Sequence, residues 1–320
     1  MANTFRIVYM GNPDFAVRPL EIMLQHNYNV VAVVTGQDKP AGRGKKINES
    51  AVKVYAKEQN LPILQPESLK DESFLQELQA LNIDLIVVVA FKMLPKVVWQ
   101  IPKIGTINIH ASLLPQYRGA APINWAIING EKKTGVTSFL INEVIDTGNI
   151  LLQKEVDIAD DETAGTLHDK LQESGSQLLL ETLQLLENGK TQGIDQKTMF
   201  QNESDLKPAP KIFKDKCKIN WNDSTENINN HIRGFSPYPG AWTQIQKNNT
   251  ISVFKIFVAH CIIENHTLPV GVIVNKNNSI AITTQDGFIQ PIEIQIEGKR
   301  RMNIHDFLNG FSFEDACIVN

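Results

Sequence analysis

The chain has 320 residues, 42% hydrophobic and 21% charged, with 31 Lys and Arg against 35 Asp and Glu for a net charge of -4. That length favours two domains, and that charge excludes a protein whose whole surface is built to bind nucleic acid, so any such contact must be local. Three scattered cysteines, Cys217, Cys261 and Cys317, lack metal-ligand spacing; with no stretch near the roughly 20 apolar residues of a membrane span, a soluble protein of the reducing cytoplasm is expected.

In chain order, the apolar run FRIVYM predicts the first strand. GNPDFAV follows it where a dinucleotide fold would carry G-x-G-x-x-G, but the second and third glycines are absent. Asn12 or Asp14 is instead expected to cap the helix that Pro13 opens. The strand VVAVVT runs into GQDKPAGRGKK, which lacks phosphate-loop spacing and reads as a mobile basic loop with Arg43, Lys45 and Lys46 set among glycines. The helical patterns SAVKVYAKEQN and ESFLQELQALN lead to DLIVVVA, TINIHAS, the helix PINWAIING, the strand GVTSFLI and a long helix stopped by Asn188 and Gly189. Strands alternating with helices predict an α/β fold over residues 1–204, a doubly wound, mostly parallel sheet with ligands beyond the carboxyl ends of its strands.

Composition shifts at DLKPAPKIFKDKCK, residues 205–218, where two prolines and five lysines read as a linker or an exposed crossing segment. Alternating runs with Asn- and Gly-rich turns then argue for a small β-barrel or sandwich over residues 209–320.

The strongest signal is INIHASLLPQYRG. Alternation puts Asn108, His110 and Ser112 on one face at the end of a strand. Asn108 can donate to a developing oxyanion and His110 can donate or shuttle a proton. Asp146, in NEVIDTGNI after the strand GVTSFLI, is placed to pair with His110, although Asp is also common in turns for its own sake. A lone strand histidine is more often structural than catalytic; it is the company of Asn108 and Asp146 that raises the chemical reading. The set lacks a serine or cysteine nucleophile, so the attacking group would belong to a substrate. Tyr117, Arg118 and Gly119 fit either substrate binding or loop packing, with Arg118 paired to a neighbouring carboxylate, and Phe91 fits either a wall or the core.

Through RIVYMGNPDFAV, KPAGRGKK, INIHASLLPQYRGAAP, TGVT, DTGNIL and GKRRM the chain resembles the methionyl-tRNA formyltransferase family over nearly its whole length. The resemblance implies a formyltransferase domain followed by a barrel like an oligonucleotide-binding fold. It implies transfer of the formyl group of 10-formyltetrahydrofolate, with no metal, to the methionine amine of initiator methionyl-tRNA. Catalytic roles fall on Asn108, His110 and Asp146, and the folate-binding loop on Ser112, Leu113, Leu114 and Pro115. Contacts to tRNA are expected from Arg43, Lys45, Lys46, Lys211 and Lys214, in a monomer. One departure is Ala111, where the family commonly has glycine.

Two rivals stand beside this expectation. A formyltransferase acting on an amino sugar nucleotide would share the polar set and the SLLP loop, but not the KPAGRGKK insertion. A non-catalytic RNA-binding module would explain the barrel and the basic loop, but not Asn108, His110 and Asp146.

Overall fold

The computed structural model describes residues 5–41, 46–276 and 279–319. Its first elements are β1 (Ile7–Gly11), α1 (Val17–Gln25), β2 (Val30–Val34), the hairpin strands β3 (Lys39–Ala41) and β4 (Lys46–Asn48), α2 (Ala51–Glu58), β5 (Ile63–Leu64), α3 (Glu72–Ala80) and β6 (Leu85–Val89). They are followed by α4 (Lys96–Trp99), β7 (Gly105–His110), α5 (Pro122–Ile128), β8 (Lys133–Leu140), β9 (Ile150–Asp157) and α6 (Ala164–Glu187). The chain ends with α7 (Thr225–Gly234), β10 (Ala241–Lys247), β11 (Thr250–Ile263), β12 (Ile273–Lys276), β13 (Ser279–Thr283), β14 (Gly287–Ile296), β15 (Met302–Asn303), α8 (Ile304–Leu308) and β16 (Cys317–Val319).

Seven strands form one sheet in the order β5-β2-β1-β6-β7-β8-β9. The strands from β5 to β7 are parallel, as expected of runs that are apolar throughout. β1 and β6 are buried along their whole length. Val8, Met10, Val34, Ile86 and Val88 pack on Phe74 and Leu78 of α3 to fill one side of the sheet. β8 and β9 instead run antiparallel to their neighbours. For β9 the reason is length, because residues 141–149 are too few for the crossover of about a dozen that a parallel neighbour needs.

Asn12 does not cap. The short turn of helix that opens at Pro13 has no side-chain cap among the described residues. The Asn12 Oδ1 accepts from the Gly36 N–H at 2.6 Å and the Thr35 hydroxyl at 3.0 Å, bracing the end of β1 against the end of β2. The arms of the basic loop, β3 and β4, pair in register as a two-stranded hairpin. Residues 42–45 at its turn lie outside the described residues.

The chain divides into two compact units: Met1–Pro122, Lys133–Asp157 and His168–Ala209 form one, and Ile123–Lys132, Ile158–Leu167 and Pro210–Asn320 the other. In the second, strands in the order β12-β13-β14-β11-β10-β16, with β15 on β14, make an antiparallel, nearly closed barrel. Its core holds Trp221, Phe235, Phe254, Ile282 and Ile294. The register between β11 and β14 slips twice between Ile256 and Ala259, which lets the 14-residue β11 bend with the barrel. The segment 205–218 carries the chain from one unit to the other and is exposed or half-buried except at Ala209, which is fully buried, and Cys217, which belongs to the barrel core.

In the second unit, burial pushes the His231 imidazole down, against smaller opposing pulls from a hydrogen bond to the Cys217 main chain and from Asp223. The residue as a whole is half-buried, but its Nε2 is fully covered, and the ring packs edge-on to Phe235 at 4.7 Å. A depressed histidine is neutral when folded and takes up its proton more readily when unfolded. Its contribution is therefore full above the unfolded value of about 6.5 and is lost as pH falls from there toward the folded value. Melting temperature should drop between pH 7.5 and 5.5, and His231→Gln should flatten that drop; an unchanged slope in the variant would remove His231 as its cause.

Candidate active site

β7 delivers the site. Asn108 and His110 lie on the same face by alternation, opposite Phe139 and Thr137 of β8. His110 is 6% exposed. Its Nε2 lies 2.8 Å from the Tyr117 carbonyl, which can only accept, so Nε2 bears a hydrogen, and in the neutral ring Nδ1 is the nitrogen that carries the lone pair. Nδ1 faces Asp146 Oδ2 at 3.8 Å, within ion-pair reach but beyond a hydrogen bond. The same Oδ2 accepts the Gly119 N–H at 2.9 Å. Sequence order thus separates His110 from Asp146 by a strand and a helix, and the fold brings them together.

Asn108 is half-buried, and among the described residues its Oδ1 is buried without a hydrogen-bond partner. Buried amides are rarely left unpaired without a purpose. The Asn108 Oδ1 therefore has acceptor capacity left for an incoming polar group.

Asp146 and Tyr117 both adopt left-handed backbone, at φ 54 and 61. Non-glycine residues there cost about 1–3 kcal/mol and persist only where their surroundings hold them. For Asp146 the holding group is the Gln196 amide, whose Nε2 donates to the Asp146 carbonyl at 3.0 Å and the Gly148 carbonyl at 2.8 Å. Gly148 has no room for a side chain, since a Cβ there would sit 1.6 Å from the Leu140 carbonyl oxygen.

The loop after His110 is stitched down on both sides. The Thr137 hydroxyl donates to the Ser112 carbonyl at 2.6 Å and accepts the Leu114 N–H at 3.1 Å, while Gln153 Nε2 donates to the Leu114 carbonyl at 2.7 Å. Ser112 Oγ donates to the Gln116 carbonyl at 2.7 Å. Ser112 and Leu114 are fully buried, Pro115 is buried behind a cis peptide bond, and Leu113 is half-buried. Leu114 packs with Phe139 and Ile150. Of the four expected folate-loop residues, the hydroxyl of Ser112, the side chain of Leu114 and the carbonyls of Ser112, Leu113 and Leu114 are thus engaged within the protein, and Leu113 is the one that is only half-buried.

Farther along, residues 116–121 pair with residues 205–209. Tyr117 N–H donates to the Lys207 carbonyl at 2.7 Å, Ala209 N–H to Arg118 at 2.8 Å, and Ala121 N–H to Ala209 at 3.2 Å. Gln116 Oε1 accepts the Lys207 N–H at 2.7 Å, and its Nε2 donates to the Asp205 carbonyl at 3.2 Å. Arg118 pairs not with a carboxylate but with the neutral Gln196 Oε1, and its guanidinium lies 5.7 Å from the Phe200 ring centre. Burial lowers its affinity for its proton, partly offset by Glu203 and Asp146.

Thr137, Gln153 and Gln196 escape sequence reasoning, since an isolated polar residue has no periodicity to betray its burial. Phe91 proves to be partly buried against the sheet core, and Ala111 is buried. Arg43 and Lys45 lie outside the described residues, and of Lys46 only the backbone, in β4, is placed. In the second unit Lys211 sits 5.7 Å from the Phe213 ring centre, and Lys214 and Lys218 lie 5.9 and 6.0 Å from Trp242. Phe213 is 62% exposed. Among the described residues no group of three or more His, Cys, Asp and Glu could hold a metal ion, and no helix is long and apolar enough to cross a membrane.

Residues 5–183 match the formyl transferase family, and residues 211–312 match its C-terminal domain. The methionyl-tRNA formyltransferase of Parabacteroides distasonis is 52% identical over 96% of this chain and 95% of its own. This chain belongs to the methionyl-tRNA formyltransferase family. The relative of that name from Flavobacterium johnsoniae is 51% identical, with 98% of each chain covered. Among solved structures, a sugar 3N-formyl transferase crystallised with dTDP and 5-N-formyl-THF matches at a TM-score of 0.65, covering 93% of this chain and 100% of that one. At 23% identity it shares the fold alone.

Gly119 ties these pieces together. Its φ is +126, and a Cβ would meet the Ala209 carbonyl oxygen at 2.4 Å. Gly119→Ala should therefore destabilise the protein by about 1–3 kcal/mol through backbone strain, with disruption of the pairing to residues 205–209 adding to this. Urea unfolding and proteolysis of the 205–209 segment measure it; a wild-type midpoint with an uncut segment would refute the tight approach.

Proposed function

We infer that the chain transfers a formyl group from a folate donor to the amino group of methionine on initiator tRNA, the step that prepares this tRNA for translation initiation. The donor we propose is 10-formyltetrahydrofolate, used by a monomer in the cytoplasm without a metal. What supports the chemical assignment is the buried Asn108 Oδ1, without a partner among the described residues, beside a histidine whose Nδ1 faces a carboxylate.

The proposed step runs as an acyl transfer. The amine nitrogen attacks the formyl carbon, forming the C–N bond while the carbonyl electron pair moves to oxygen. Asn108 donates an amide hydrogen to that oxyanion, an interaction that strengthens as charge develops. The attacking amine must lose a proton, and His110 Nδ1 is the acceptor, with Asp146 stabilising the imidazolium so formed. Collapse of the tetrahedral intermediate breaks the bond to the folate nitrogen, which leaves with the electron pair and takes up a proton. The loop of Ser112, Leu113, Leu114 and Pro115 is proposed to position the folate. A sugar substrate has only distant fold likeness behind it.

We assign catalysis to residues 1–204 and tRNA binding to residues 209–320, with Arg43, Lys45, Lys46, Lys211 and Lys214 as the residues that touch the tRNA. Arginine suits phosphate or base edges through its planar fork, and Lys211 and Lys214 act as charges set beside aromatic rings.

His110→Ala and Asp146→Ala should each slow single-turnover formylation by about 10²-fold to 10³-fold with folding intact. A near-normal rate in either would take that residue out of the mechanism. Neutralising Lys211 and Lys214 together should weaken initiator and elongator methionyl-tRNA alike. The slope of log affinity against log salt should flatten by roughly 0.7 to 0.9 for each phosphate that is no longer neutralised. An unaltered slope would place the tRNA elsewhere.

A further inference from the structure

Gln196 is fully buried, yet residues 192–195 and 197–199 around it are exposed. No apolar packing explains a lone buried amide in such a stretch, and an amide is costly to bury unless every polar atom is paired. Here it is. Oε1 accepts from Arg118 Nε at 3.1 Å and from the terminal guanidinium nitrogen at 2.6 Å, and Nε2 gives its hydrogens to the carbonyls of Asp146 and Gly148. The partners leave one orientation for the amide, because a guanidinium can only donate and a carbonyl can only accept.

The backbone that carries Gln196 is also held. Ile194 exchanges both main-chain hydrogen bonds with Ile150 at 2.8 Å, and the Asp195 side chain accepts from Lys197 N–H to open the short helix Gln196–Met199. One rigid amide therefore grips the turn on which Asp146 stands, at the residue itself and two residues on. Released from that grip, the left-handed Asp146 keeps the Gly119 N–H on its Oδ2 but loses the two hydrogen bonds that fix the path of its own turn. Its carboxylate would then shift relative to His110 Nδ1.

We propose that Gln196 is a positioning residue for the formyl transfer: it touches no substrate, and with Arg118 as its anchor it holds Asp146 in the conformation that aims the carboxylate at His110. This rests on the assignment of Asp146 to the chemistry. Misplacing a reacting group by about an ångström costs up to 10²-fold in rate without weakening substrate binding.

The test is a double-mutant cycle with Gln196→Met and Gln196→Glu, each alone and combined with Asp146→Asn, assayed for formyl transfer from 10-formyltetrahydrofolate to methionyl-tRNA. Methionine matches the length without donors. Glutamate keeps an acceptor for Arg118 but loses both donated hydrogens. Each single variant should lower kcat by about 10-fold to 10²-fold, with KM for both substrates within about twofold of wild type. In the Asp146→Asn background neither should lower it further. An unchanged kcat in the single variants, or an equal loss in both backgrounds, overturns the proposal, and the second pattern would make Gln196 a structural residue. If Gln196→Met does not fold, the nearly isosteric Gln196→Glu completes the cycle alone. Full activity of Asp146→Asn by itself would defeat the assignment of Asp146, an outcome distinct from the failure of Gln196.

Discussion

Two main-chain groups of one loop hold both ionisable side chains of the site. The Tyr117 carbonyl receives His110 Nε2–H, and the Gly119 N–H binds Asp146 Oδ2. The loop can serve both only if its own path is set, and that path is set by pairing with residues 205–209. Backbone dipoles have an advantage as anchors, since they carry no rotamer freedom to lose and cannot swing away when a substrate binds. The remaining polar residues then have simple duties: Thr137 and Gln153 fix the start of the loop, and Gln196 fixes the turn opposite.

The sheet is legible in the sequence where physics makes it redundant. β1, β2 and β6 are covered on both faces and read as unbroken apolar runs, so length and composition agree. β9 is harder to see. It is the last strand of the sheet, and its exposed Lys154, Glu155 and Asp157 dilute the pattern. Asn12 shows a different limit, since a residue suited to capping by type and place has better partners across a strand boundary. The prolines and lysines of 205–218 give no sign that Lys207 and Ala209 pair through their backbone with the loop at 117–121, because backbone pairing leaves no mark on side-chain composition.

Asn108, His110 and Asp146 are legible as a candidate set because the alternation of a strand and the chemistry proposed for the chain point to the same residues. The apparatus that aims them is not. Tyr117 contributes a carbonyl, which every residue has, and Gly119 contributes an N–H. Gln196 stands in a polar stretch indistinguishable from solvent-exposed loop until its burial is known. What a side chain will do is encoded in its type; what holds it there is often encoded in a fold.

The same arrangement bears on any attempt to transplant the proposed chemistry. Copying an asparagine, a histidine and an aspartate onto the strands of another parallel sheet would carry over the visible residues and none of their restraint. The recipient would need a position intolerant of any Cβ at the loop crossing, as Gly119 is against Ala209, and an adjoining strand-like segment from a remote part of its own chain. A minimal portable unit is therefore discontinuous: a strand end, the loop that leaves it, a turn from across the sheet, and a short length of backbone nearly a hundred residues later in the sequence.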